Sequence, residues 1–244
     1  MDFLIPALLC AMISLTGAFT QRVSGFGYGI IVMMVFPHVI SYGAASTLSG
    51  LISLFSAAYV AFSMRKSIKF SQLPIPLITY TAINYLATSF VASSDTSLLK
   101  RILGGALILL SVYFFIFSKK IKLKPSVPSA LGAGAVSGGM SGLFAMGGPP
   151  MVLYFMSTNS ESTDSYLATI QAFFALSNVI STSVRAYKGL FTKEVFIMLI
   201  PALLGMLVGN FAGRKVYRRL RADIIKKCVY AFMAVSGLIT LILG

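Results

Sequence analysis

The sequence predicts an all-α polytopic membrane protein built from two homologous halves arranged as inverted repeats. Each half is expected to hold one broken, re-entrant, glycine-rich helical segment and three transmembrane helices. Three observations carry this. Hydrophobic residues make up 57% of the 244 positions and charged residues only 11%, against about a quarter charged in soluble domains. Apolar segments of membrane length recur between basic loops. Two of those segments are interrupted by glycine and proline, at Gly17–Gly29 (GAFTQRVSGFGYG) and Gly138–Met151 (GGMSGLFAMGGPPM). Proline removes a backbone donor and clashes with the preceding turn, so a continuous helix cannot run through Gly147, Gly148, Pro149 and Pro150. Irregular backbone at membrane depth is tolerated only against protein or a water-filled cavity.

The first half spans 1–124. Its broken segment covers 3–36: an apolar arm from Phe3 to Phe19, a break through Gln21–Gly29, and a second arm from Ile30 to Phe36. Helices follow at 42–64, 73–91 and 98–117, with Pro74 and Pro76 in a first turn, where proline costs least. The second half, 125–244, repeats the plan with a broken segment over 127–156 that opens at Met146–Pro150. Its helices lie at 166–186, 191–212 and 224–243. Landmarks recur in order: Tyr42-Gly-Ala with Tyr166-Leu-Ala, Phe70 with Phe191, and Leu98-Leu-Lys-Arg with Ile224-Ile-Lys-Lys. Their offsets of 124, 121 and 126 residues are nearly constant, as an internal duplication requires.

Charge sets the expected topology. If all eight segments cross, ten basic loop residues face nine, and no side is chosen. If each broken segment enters and leaves on one side, the loops at 65–69, 119–124 and 214–227 share a side with fourteen. Lys100, Arg101, Arg185, Lys188 and Lys193, five residues, remain opposite. Fourteen against five obeys the positive-inside rule, with both termini outside. Three crossings per half then make the halves inverted.

Paired interruptions at corresponding places in two halves point to a transporter's substrate site near the repeat interface and the bilayer midplane. A helix N-terminus presents unpaired amides and about half a positive charge, so the starts of the two second arms form an expected anion site. The candidate substrate-binding residues are Gln21, Arg22, Ser24, Gly25, Gly27 and Gly29 at the first tip, with Met146, Gly147, Gly148, Pro149 and Pro150 at the second. Arg22 adds a full charge at the first tip, and the corresponding second-half position is Leu143 or Phe144. Gln171 and Asn178, seven apart on one helix face, and Thr47, the first-half counterpart of Gln171, complete the set. Asn84 and Asn210 read as helix–helix hydrogen-bonding residues.

The formal charge of +14 follows from basic loops between apolar segments, so the partners expected are a small anion and the lipid bilayer, not nucleic acid. A homo-oligomer is compatible with the sequence. Cys10 and Cys228 lie far apart in apolar segments and read as packing residues. The N-terminus begins Met-Asp-Phe without a positive region, so no cleaved signal peptide is expected. No enzyme constellation is legible: His38 is the one histidine, the six carboxylates fall at loops or segment ends, and no phosphate-binding loop occurs. Neither a cofactor nor a metal is expected.

Gly17-Ala-Phe-Thr-Gln-Arg-Val-Ser-Gly-Phe-Gly-Tyr-Gly and Ser141-Gly-Leu-Phe-Ala-Met-Gly-Gly-Pro-Pro resemble the two broken segments of the TauE/SafE family of membrane permeases. The resemblance covers essentially the whole chain. Many relatives have three consecutive glycines where this chain has Gly25-Phe-Gly-Tyr-Gly. What it implies is transport of sulfite, sulfonates or similar small anions, usually outward across the bacterial inner membrane. The competing expectation is a non-transporting membrane scaffold or assembly subunit.

Overall fold

The computed structural model describes residues 4–24, 27–117, 124–216 and 222–243, all of whose regular elements are helices. In order they are α1 (Leu4–Ser24), α2 (Tyr28–Met33), α3 (Phe36–Val39), α4 (Tyr42–Ser63), α5 (Pro74–Ser93), α6 (Thr96–Phe117), α7 (Val127–Phe144), α8 (Gly148–Thr158), α9 (Thr163–Tyr187), α10 (Lys193–Val216) and α11 (Ala222–Leu243). Short 3₁₀ turns at Arg65–Ser67 and Phe70–Gln72 join α4 to α5. Among the described residues, six helices are long and apolar enough to cross a membrane: α1, α4, α5, α6, α9 and α10. Helices satisfy their backbone groups internally, the condition a bilayer imposes.

Local chemistry sets several ends. α7 opens on a capping box, with Ser129 N–H donating to Ser126 Oγ at 3.3 Å and Ser126 N–H to Ser129 Oγ at 3.1 Å. α9 starts at Thr163, ahead of the sequence boundary at 166, because Ser162 Oγ accepts from Ser165 N–H at 3.2 Å. α1 extends through Ser24, so Gln21, Arg22 and Ser24 sit on helix and not in the expected break. The chain turns instead at Gly27, whose φ of 109° lies in the left-handed region that favours glycine. At the second interruption α7 stops at Phe144, Ala145 takes φ 54°, and α8 has begun by Gly148.

The chain divides into two compact units that interleave its halves. Unit 1 holds 1–49, 93–121 and 191–244; unit 2 holds 50–92 and 122–190. Within unit 1, α1 and α10 run parallel at very close range. A Cβ built on Gly205 would lie 2.0 Å from the Ala11 carbonyl oxygen, and one on Gly209 2.2 Å from that of Leu15. One on Gly213 would meet Arg22 Cβ at 2.8 Å. Three glycines at four-residue spacing thus let two backbones touch, the small-residue packing of membrane helices. After the turn α2 folds back, and Tyr28 reaches Ser14 Oγ with its hydroxyl at 2.8 Å. The return ends at Ser41, which bonds Glu194 in the first turn of α10.

Unit 2 repeats this plan with the glycines on the other partner. α5 and α7 run parallel, and Cβ atoms built on Gly134, Gly138 and Gly142 would lie 2.2, 2.5 and 2.5 Å from Pro76, Tyr80 and Ala87. α8 folds back along α7, with Ser137 Oγ donating to the Gly147 carbonyl. Its end returns to Gln72, just ahead of α5, where Asn159 Nδ2 donates to Gln72 Oε1 at 2.8 Å. In each unit, then, a helix, a turn and a fold-back leave the chain beside the start of the parallel helix. Each turn is level with the last turns of that helix, and not with its middle.

Candidate functional site

The second interruption lies in unit 2, beside a line of buried polar side chains. α5, α7 and α9 meet along a buried seam. On α5, Tyr80, Asn84 and Thr88 lie one turn apart, and on α9 so do Ser177, Ser181 and Arg185; all six are at most 3% exposed. Tyr80 donates to Ser141 Oγ at 2.6 Å. Asn84 Nδ2 bridges the Gly138 carbonyl and Ser181 Oγ, both at 3.4 Å. Tyr80 also meets Phe173 edge to face at 5.7 Å, closing the seam with an apolar wall.

Arg185 ends this seam. Its Nη2 donates to the Ser141 and Gly142 carbonyls, each at 2.9 Å. Those carbonyls belong to the last turn of α7, where the helix stops and its negative dipole end is exposed. Oriented carbonyls help to solvate this wholly buried guanidinium. They are neutral dipoles, so they leave its positive charge in place.

The start of α8 offers less than the sequence pattern suggests. Of the four amides that a helix start leaves unpaired, Pro149 and Pro150 supply none. Gly147 and Gly148 carry the remaining pair. Arg185 adds a full positive charge at the end of α7, beside this turn.

The first interruption, in unit 1, has a different chemistry. Gln21 is buried, and its Oε1 has no hydrogen-bond partner. Arg22 is half-buried in the last turn of α1, its stem laid across Gly213. Gly27 and Gly29 flank the start of α2, which has six residues. Gly25 lies outside the described residues, and Ser24 is placed on α1 by its backbone alone. Thr47 is buried, but its hydroxyl donates to the Gly43 carbonyl of its own helix at 2.7 Å. On α9, Gln171 is buried and Asn178 half-exposed. Met146 is buried beside the second turn, its N–H donating to the Met140 carbonyl at 3.3 Å.

Comparison with known proteins assigns the chain. Residues 9–240 match the sulfite exporter TauE/SafE family. The chain belongs to that family. It is 21% identical over 220 residues to the probable sulfite/organosulfonate exporter TauE of Cupriavidus necator, covering 88% of this chain and 85% of that protein. No solved structure matches it. Family membership and six apolar helices make this TauE/SafE member a multi-pass membrane protein of transporter type.

In this TauE/SafE chain the sequence reading missed Arg185. Its place near a basic cluster with Lys188 and Lys193 suggested a loop charge, yet it lies within α9 and is fully buried. A signal was available. Ser177, Ser181 and Arg185 recur at four-residue spacing, which puts them on one face of α9.

Proposed function

We propose that this chain is a permease that moves a small anion (sulfite, a sulfonate or a related organic anion) outward across the bacterial inner membrane. The observation that carries the reading is Arg185, a fully buried cation at the end of a helix that stops inside an apolar unit. Ionisable groups in such positions are costly and mark ion or substrate pathways. The name of the Cupriavidus necator relative supplies the substrate class.

The finer architecture belongs to the same proposal. Each interrupted segment is a re-entrant hairpin, and the two halves are inverted repeats with both termini outside. Supporting this, the fold-backs end at Glu194 and Gln72, beside the starts of the helices that run parallel to their first arms. The positive-inside count agrees. Substrate contacts are assigned to Gln21, Arg22, Ser24, Gly25, Gly27 and Gly29, to Met146–Pro150, and to Thr47, Gln171 and Asn178 as lining residues.

The test is anion efflux from sulfite-loaded proteoliposomes of the purified protein. Saturable efflux above that of protein-free vesicles is expected. Arg22→Gln should weaken the apparent affinity about tenfold, the size of one charged hydrogen bond, without loss of folded protein. Efflux indistinguishable from empty vesicles, in protein shown to be folded, would reassign the chain to a scaffold role.

A further inference from the structure

We propose that Arg185, Thr88 and Asn84 form a subsite for a singly protonated oxyanion at the end of α7. The inference rests on the permease reading above and names the form of the anion that the second interruption binds. All three residues have no exposed surface. Gly142 is their common neighbour. Its carbonyl accepts from Arg185 at 2.9 Å, and a Cβ built on it would stand 2.9 Å from the Asn84 carbonyl oxygen and 3.1 Å from the Thr88 amide.

Two atoms here lack any hydrogen-bond partner: Asn84 Oδ1 and Thr88 Oγ1. Buried polar atoms are almost always satisfied, and leaving one unsatisfied costs the full desolvation of that group. Two such atoms one helical turn apart, on residues that share Gly142 as a neighbour with a buried cation, mark a place that a polar ligand completes. The donor and acceptor inventory then limits the ligand. Arg185 only donates and carries the positive charge, so it selects a negative oxygen. The Thr88 hydroxyl donates or accepts. Asn84 Oδ1 only accepts, so it requires a hydrogen on the ligand. A fully deprotonated dianion would set a lone pair against Oδ1, whereas a monoanion with one O–H matches all three groups. Hydrogensulfite is such a species and sulfate is not.

The experiment measures unfolding temperature and binding isotherms of the full-length, detergent-purified protein, under nitrogen, with sulfite, methanesulfonate or sulfate added. A ligand that binds the folded state raises its unfolding temperature. Sulfite should stabilise the wild type, more strongly on the acid side of neutrality, whereas sulfate and methanesulfonate, which carry no O–H, should stabilise it less or not at all. Thr88→Val keeps the side-chain shape and removes a hydroxyl with no protein partner, so it should fold and bind sulfite about tenfold more weakly. Arg185→Gln should lower affinity about a hundredfold, and Arg185→Lys should recover part of it. Wild-type sulfite affinity in Thr88→Val overturns the subsite, whether or not Arg185→Gln folds. A preference for the dianion on the alkaline side overturns the protonated ligand. If neither sulfite nor methanesulfonate shifts the wild type at any pH, the subsite falls, and the permease reading falls with it when proteoliposome efflux is also absent. If the wild type responds and the variants respond equally, the subsite alone falls.

Discussion

Arg185 shows what a linear reading hides. A basic residue close to others reads as a loop charge, and only helix register places it against the carbonyls of Ser141 and Gly142. Arg22 drew attention because it stands in the middle of a glycine-rich run, where a charge is conspicuous. Asn84 was legible as a helix–helix hydrogen-bonding residue, and its Nδ2 does bridge Gly138 and Ser181. The Pro149-Pro150 pair falls in the first turn of α8, after α7 has ended at Phe144, and the same chemistry that keeps a helix from running through it also removes amides an anion would use. Tyr80 drew no notice, since a tyrosine in an apolar helix is ordinary. Its hydroxyl bond to Ser141 at 2.6 Å nevertheless holds α5 to α7. Tyr80→Phe should destabilise the protein by about 1–2 kcal/mol, the net worth of one buried hydrogen bond plus the partner left behind. A thermal or chaotrope unfolding midpoint equal to the wild type would show that the bond is replaced.

Two kinds of glycine stand out at the level of helices. Gly27 serves a turn, through its positive φ. Gly205, Gly209 and Gly213, like Gly134, Gly138 and Gly142, serve contact, and their four-residue spacing was present in the sequence without being read. The tips drew attention because glycine and proline break helices, whereas glycine inside a continuous helix leaves no mark on apolarity. The two units place these glycines on opposite partners, α10 in one and α7 in the other, while keeping two parallel helices at each interruption. Gly209→Leu forces a side chain into the Leu15 carbonyl, where even a Cβ would stand at 2.2 Å. Overpacking of that kind costs about 1–3 kcal/mol or more, and here it should abolish monodisperse protein on size exclusion. Gly105→Ala is the control. Nothing lies within 4 Å of its added Cβ, so helix propensity alone acts. It should stabilise by about 0.5–1 kcal/mol. Equal yields and melting temperatures for the two variants would refute a contact role for Gly209.

The molecule as a whole carries the question of what drives transport. The helical class was readable from apolar runs, because a bilayer leaves helices as the open choice for such sequence. The six long apolar helices, however, include α1, which the sequence reading took as a re-entrant arm, and not α11. The interleaving of halves into two units was not readable, since parallel packing of α1 on α10 and α7 on α5 depends on contacts distant in sequence. The described carboxylates lie at helix ends: Asp95 between α5 and α6, Glu161 between α8 and α9, and Asp164 and Glu194 in first turns. Proton-coupled carriers generally keep such a group inside the membrane as a relay. The buried ionisable group at the second interruption is instead Arg185, a guanidinium that stays protonated and so cannot exchange protons. An anion leaving the cell gains about 2.3 kcal/mol per charge for each 100 mV of inside-negative potential. We therefore expect efflux driven by the membrane potential, without an obligatory proton partner. A monoanion, the form matched by Asn84 and Thr88, should reach a limiting gradient of about fiftyfold per 100 mV, and a dianion the square of that. The measurement is efflux from proteoliposomes at fixed pH on both faces, under a potassium-diffusion potential set with valinomycin. Efflux should rise with inside-negative potential and settle at the monoanion gradient. Efflux that ignores the potential yet follows an imposed pH gradient would place a proton relay in the chain after all. Carboxylates at helix ends would then have to be reconsidered as its members, beginning with Glu194 at the Ser41 contact.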